Sequence, residues 1–102
     1  MAVYMMFWQE AVTDEAGLAE YSRQAGGTLG PYSPIPRVVT DKVDVVEGEW
    51  PAGRMVVLEF ENREKALGWY NSPEYSAVKG LRHAATKGGG GIIVDAFQMP
   101  GQ

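Results

Sequence analysis

Few side chains in this sequence can do chemistry, and they are widely spaced. His83 is the only histidine, and histidine alone has an unperturbed pKa near neutrality. A general base needs a positioned partner and a pocket. The helical spacing around His83 places it off the apolar stripe, where a solvated side chain is expected. It has no second histidine and no carboxylate one helical turn away, so no metal site is expected. Glu59 lies near the end of an apolar strand and could act as acid or base through a raised pKa; pairing with Arg54 is the plainer reading. Arg37, Arg54 and Arg82 could converge on an anionic or carboxylate ligand, since guanidinium offers a planar fork of donors. The competing reading pairs them with Glu47, Glu49, Glu59 or Glu61, or leaves them in solvent. Tyr21, Tyr70 and Trp69 could line a cleft between helices and sheet, though aromatics at helical spacing also build cores. Trp50, in a turn beside Pro51, either packs across an interface or is presented to a ligand.

The elements that must position these groups are legible from apolar patterning. Val3 to Trp8 is continuously apolar and Gln9 to Val12 completes a first strand, rich in β-forming residues. Thr13 or Asp14 caps a helix whose buried stripe is Leu18, Tyr21 and Ala25. Gly26 and Gly27 end it on local rules, with Thr28 and Leu29 as a possible further turn. Gly30 to Pro36 carries three prolines and cannot be regular. Arg37 to Val46 reads as a second strand, its Asp41, Lys42 and Asp44 suiting a sheet edge. A turn over residues 47–53 leads to a third strand, Arg54 to Phe60, also continuously apolar in its centre. Asn62 caps a short helix through Tyr70, and Asn71 ends it in a left-handed conformation. Ser72, Pro73 and Glu74 then start a second helix: cap, first-turn proline, and an acid at the positive end of the dipole. Its stripe is Val78, Leu81 and Ala85, with Lys79, Arg82, His83 and Thr86 away from it. Lys87 and Gly88 to Gly91 read as a floppy connection. They are no phosphate loop, which needs its lysine after the glycines and a helix to follow. Ile92 to Phe97 is a fourth strand, and residues 98–102 are a tail.

The order is β-α-β-β-α-β, an α+β, ferredoxin-like arrangement with a four-stranded antiparallel sheet. Right-handed crossovers put the first and third strands in the middle, and those are the two continuously apolar ones. Such strands need cover on both faces. Helices supply one cover; a second copy packing sheet against sheet would supply the other. The 102 residues suit one domain spanning 1–102. Net charge is −4 with scattered basic residues, which argues against nucleic acid. No apolar run reaches the roughly 18 residues of a membrane span, and residues 1–4 lack the basic prefix of a signal peptide. Cysteine is absent, so disulfides and thiol chemistry are excluded. A soluble, cytoplasmic protein working without a cofactor is expected.

Several motifs together resemble a known family: Glu47-Gly48-Glu49-Trp50, Val56-Val57-Leu58-Glu59-Phe60, Ala66, Trp69 to Tyr75 and Arg82. They are similar to the domain-of-unknown-function 1330 family, and the similarity runs from Tyr4 to Phe97. It implies a ferredoxin-like fold in which two subunits join their sheets into a dimeric α/β barrel. Where relatives carry a Gly-Gly-Arg or Gly-Gly-Lys turn, this chain has Ser33-Pro34-Ile35-Pro36-Arg37. Two functions are compatible with these residues. One is a cofactor-independent enzyme or binder of a small anionic or aromatic molecule, with Tyr21, Arg37, Arg54, Tyr70, Arg82 and His83 at the cleft and Trp50 as a further ligand-binding candidate. The other is a non-catalytic dimeric module.

Overall fold

Alternation along the first strand sets the layers. In a strand, successive side chains face opposite ways; here Val3, Met5, Phe7 and Gln9 are buried while Tyr4, Met6 and Trp8 between them are only half-buried. The computed structural model describes residues 1–50, 53–98 and 100. In chain order the elements are β1 (Val3–Gln9), β2 (Ala11–Val12), α1 (Glu15–Gly26), a 3-10 turn (Gly30–Tyr32), β3 (Ile35–Thr40), β4 (Arg54–Phe60), α2 (Arg63–Tyr70), α3 (Pro73–Ala85), β5 (Thr86–Lys87) and β6 (Gly90–Asp95). The four long strands form one antiparallel sheet in the order β3-β4-β1-β6. The two apolar strands are the central ones, as their composition requires.

Local chemistry starts each helix. Asp14 accepts from the Gly17 N–H at 2.9 Å, Asn62 from Lys65 at 2.8 Å and Ser72 from Tyr75 at 3.1 Å. Each satisfies a donor that the first turn leaves orphaned. The Ser72 hydroxyl also donates to the Trp69 carbonyl at 2.7 Å, which ties the end of α2 to the start of α3. All three helices lie on the Phe7 side. Leu18, Tyr21 and Ala25 of α1, Ala66 and Trp69 of α2, and Tyr75, Val78 and Ala85 of α3 close over Val3, Met5, Phe7, Leu58 and Phe60. Trp69, 2% exposed, has its ring 4.1 Å from Tyr75 and 5.8 Å from Phe60, and its Nε1 donates to Thr28 Oγ1 at 2.8 Å.

Among the described residues the opposite face carries no helix. Register pairs share a face, so Tyr4, Met6 and Trp8 lie with Met55, Val57, Val38, Ile35, Ile92 and Val94. Val57 at its centre is buried by its neighbours, while Ile35 is 46% and Ile92 45% exposed.

Several boundaries differ from the sequence expectation, for physical reasons. The second strand stops at Thr40 because its register partner is Met55, and β4 begins one residue earlier, at Arg54. Val43 and Val45 therefore have no strand to pair with. The first strand breaks at Glu10; Ala11 and Val12 pair instead with Lys87 and Thr86. α1 ends at Gly26, and Thr28 turns back to bond the Ala25 carbonyl rather than extend the helix. Asn71 ends α2 at φ −95°, not in the left-handed region. Gly90 and Gly91, expected in a floppy connection, belong to β6, which ends at Asp95. Pro51 and Ala52 of the expected turn, and Met99, Gly101 and Gln102 of the expected tail, lie outside the described residues. Among the described residues no helix is long and apolar enough to cross a membrane.

Candidate functional site

The site is built around a buried cation on α3. The buried positions of that helix are Tyr75, Val78, Arg82 and Ala85, so Arg82 lies within the stripe and not off it as expected. It is 8% exposed. Its guanidinium carbon sits 4.6 Å from the Phe7 ring centroid and 5.9 Å from that of Tyr21, so aromatic faces supply part of its electrostatic compensation. Arg82 Nη2 lies 3.2 Å from His83 Nε2. Arginine can only donate, so Nε2 carries the lone pair and Nδ1 the hydrogen. Arg82 Nη1 is closed off from solvent and has no hydrogen-bond partner. Among the described residues no carboxylate pairs with this guanidinium. A buried charge left in that state costs several kcal/mol.

His83 itself is exposed. Its pKa is held below the usual histidine value, first by partial desolvation and then by the charges of Arg82 and Lys79. The ring is therefore neutral at neutral pH. Deeper in the core, the Tyr21 and Tyr75 hydroxyls stand 2.8 Å apart. Burial, followed by the proximity of Tyr21, pushes the Tyr75 phenol up, and it stays protonated.

Two cavities meet at Arg82. The larger, about 520 Å³, lies between β1, β6, α2 and α3 and is lined by Phe7, Trp8, Gln9, Leu67, Tyr70, Arg82, His83, Thr86 and the glycines from Gly88 to Gly91, among others. Among the described residues no Asp or Glu lines it. The glycines are what open it. Gly88 and Gly89 have φ of 65° and 102°, where an L side chain is strained. A Cβ on Gly89 would come within 1.9 Å of the Trp8 carbonyl oxygen, and one on Gly91 within 2.8 Å of the Phe7 ring. The smaller cavity, about 200 Å³, lies on the Tyr21 side, toward Leu29, Pro36, Val39 and Val56. Phe7, Gln9 and Arg82 line both. Arg54 faces the smaller one, where its Nη1 donates to Gln9 Oε1 at 3.3 Å.

The residues named from sequence are thus divided. Tyr70, Arg82 and His83 meet at the larger cavity, and Tyr21 and Arg54 at the smaller. Arg37 and Trp50 line neither. Arg37 pairs with Glu59 at 3.2 Å, so the expected Glu59–Arg54 pairing is replaced by Arg37–Glu59 and Arg54–Gln9. Trp50 packs on Trp8, ring centroids 5.6 Å apart. Phe7, Gln9 and Thr86 were missed. The signal for Gln9 is parity: it is the polar fourth member of the inward set that begins Val3, Met5, Phe7. Among the described residues no group of three or more His, Cys, Asp or Glu could hold a metal.

Comparison with known proteins agrees with this architecture. The family model described as Domain of unknown function (DUF1330) matches residues 2–97. No curated protein matches in sequence. Among solved structures, a protein of unknown function from Rhodopseudomonas palustris superposes with a TM-score of 0.79 at 12% identity, covering 96% of this chain and 84% of that one. A dimeric ferredoxin-like protein of unknown function from Jannaschia sp. CCS1 gives 0.65 at 15% identity, over 96% and 100%. SnoaB, a cofactor-independent oxygenase from Streptomyces nogalater, gives 0.65 at 6% identity, over 99% and 97%. At these identities the likeness is one of fold.

Proposed function

This chain belongs to the DUF1330 family, and we propose that it works as a homodimer that binds or transforms a small anionic or aromatic molecule, without a cofactor, in the helix–sheet cleft at Arg82. The observation that carries the reading is a buried guanidinium with an unpartnered Nη1, beside a cavity of about 520 Å³ that, among the described residues, no Asp or Glu lines. That volume is in the ordinary range of small-molecule sites, roughly 300–1,000 Å³. In a chain of net charge −4, a cavity whose charged lining is cationic stands out as a place for an anion. SnoaB provides a precedent for cofactor-free chemistry on this fold, with the weight that fold analogy has.

The dimer rests on the open sheet face. Ile35, Val38, Ile92 and Val94 are exposed there beside half-buried Met6 and Trp8, an apolar surface of the kind that marks interfaces. A second copy of the same sheet covers it with a two-fold axis, as a ferredoxin-like dimer would.

The test is a thermal-shift screen of small anionic and aromatic compounds on the wild type and on Arg82→Met. A ligand preferring the native state raises the melting temperature. Methionine keeps the length of the stem while removing the charge, so the variant should melt no lower than the wild type without ligand. It should lose the response to anions. No response from the wild type to any compound would overturn the cleft reading. Sedimentation showing a folded monomer at micromolar concentration would overturn the dimer.

A further inference from the structure

Resting on that reading of the cleft, we infer that the larger cavity takes a flat, conjugated ring bearing a single carboxylate, which the Nη1–Nη2 edge of Arg82 receives while the ring lies against Phe7, Tyr70 and the bare backbone of Gly90 and Gly91.

The charge count argues for one negative charge. Arg82 is the only buried cation among the described residues. Arg63, at the rim, is exposed and already bonded to Asp95 at 2.7 Å. Lys79 sits with its ammonium 4.3 Å from the Tyr70 ring centroid. The backbone also disfavours a phosphate. Arg82, His83 and Thr86 lie at the C-terminal end of α3, where the negative dipole end opposes any anion and a doubly charged one about twice as strongly as a singly charged one, and the helix starts that suit phosphate are capped by Asn62 and Ser72. At the glycine turn the Glu10 carboxylate already lies against Gly88, 1.7 Å from where its Cβ would stand. A planar carboxylate, by contrast, matches the guanidinium edge. Nη1 has no partner, and Nη2 spends one hydrogen on His83.

The remaining lining argues for a flat apolar body. The Phe7 and Tyr70 rings are stacked, inclined by 21° with centroids 6.1 Å apart, and both border the cavity. Gly90 and Gly91 add no side chain. Apart from Arg82 and Arg63 at the rim, the polar side chains of the lining are the neutral Gln9, Tyr70, His83 and Thr86. Because Nη1 is closed to solvent, the carboxylate must displace a neighbour. His83, exposed and bonded to the adjacent Nη2, is the polar neighbour whose titration reports that rearrangement.

Calorimetric titration of the full chain with 2-naphthoate, 2-naphthalenemethanol and 2-naphthyl phosphate tests the assignment. Naphthoate should bind at least about tenfold more tightly than either of the others, and Arg82→Met should abolish that preference. The imidazole resonances of the one histidine give a second readout. The charged groups acting on it are Arg82 and Lys79 of its own helix; elsewhere on the cavity wall are Arg63, paired with Asp95, and Gly88, against which Glu10 lies. Bound naphthoate should offset Arg82 and raise the pKa of His83, so affinity should increase as pH falls through that value. Equal binding of the alcohol, tighter binding of the phosphate, or an unmoved histidine would overturn the carboxylate assignment and leave the cleft reading standing. Failure of all three compounds would also overturn it, and the cleft reading falls with it only if the broader screen finds no ligand.

Discussion

The two faces of the sheet come from the same strands and have met opposite fates. On one, Val3, Met5, Phe7, Leu58 and Phe60 are sealed beneath three helices, with Trp69 and Tyr75 locked between them. On the other, Tyr4, Met6, Trp8, Val38 and Ile92 are no less apolar, and among the described residues their neighbours are other strand side chains and Trp50, with no helix over them. The roofed face has enough aromatic surface to hold a lone guanidinium over Phe7. The open face holds its charges in a surface pair, Arg37 with Glu59. A cation without a carboxylate persists only where the surrounding packing is strong; an apolar face without helices persists only where something else covers it.

The largest expected effect falls on the roofed face. Trp69→Ala should lower unfolding free energy by about 3–5 kcal/mol in a urea titration, the usual cost of a large buried aromatic. A loss near zero would mean that the face is not the packed core it resembles. On the open face, Met6→Lys should raise the dimer dissociation constant at least about tenfold by sedimentation, or about 1.4 kcal/mol, while the monomer's own fold is retained. If association is unaffected, the face has no twin and the comparison fails. Smallest is Ser72→Ala, which removes the cap between α2 and α3 and should cost about 1 kcal/mol. Because Ser72 also bonds the Trp69 carbonyl, a loss well above that would show that the link between the two helices matters more than the cap.

How far the sequence could be read follows from the range of the interactions involved. Asp14, Asn62 and Ser72 announce their helices because a cap is a contact between residues three apart. The central position of β1 and β4 was legible because double cover leaves an uninterrupted apolar run. The end of β3 was not legible, since Val43 and Val45 alternate as a strand should and only the short reach of β4 denies them a partner. Arg82 was misplaced because an arginine on a helix is ordinarily solvated, although its spacing from Val78 and Ala85 put it in the stripe. Gly88 to Gly91 read as slack, yet Gly89 and Gly91 stand where a side chain would strike Trp8 or Phe7. That is a constraint visible only once the strands are paired.

The glycine floor has a consequence for selectivity. Where a pocket is shaped by side chains, rotamers can adjust to a guest; where a main chain sets the clearance, nothing yields. A single methyl at Gly91 would push Phe7, and with it the seat of the guanidinium. The upper size of any guest is therefore written in atoms the chain omits, and only a change in the gene can rewrite it.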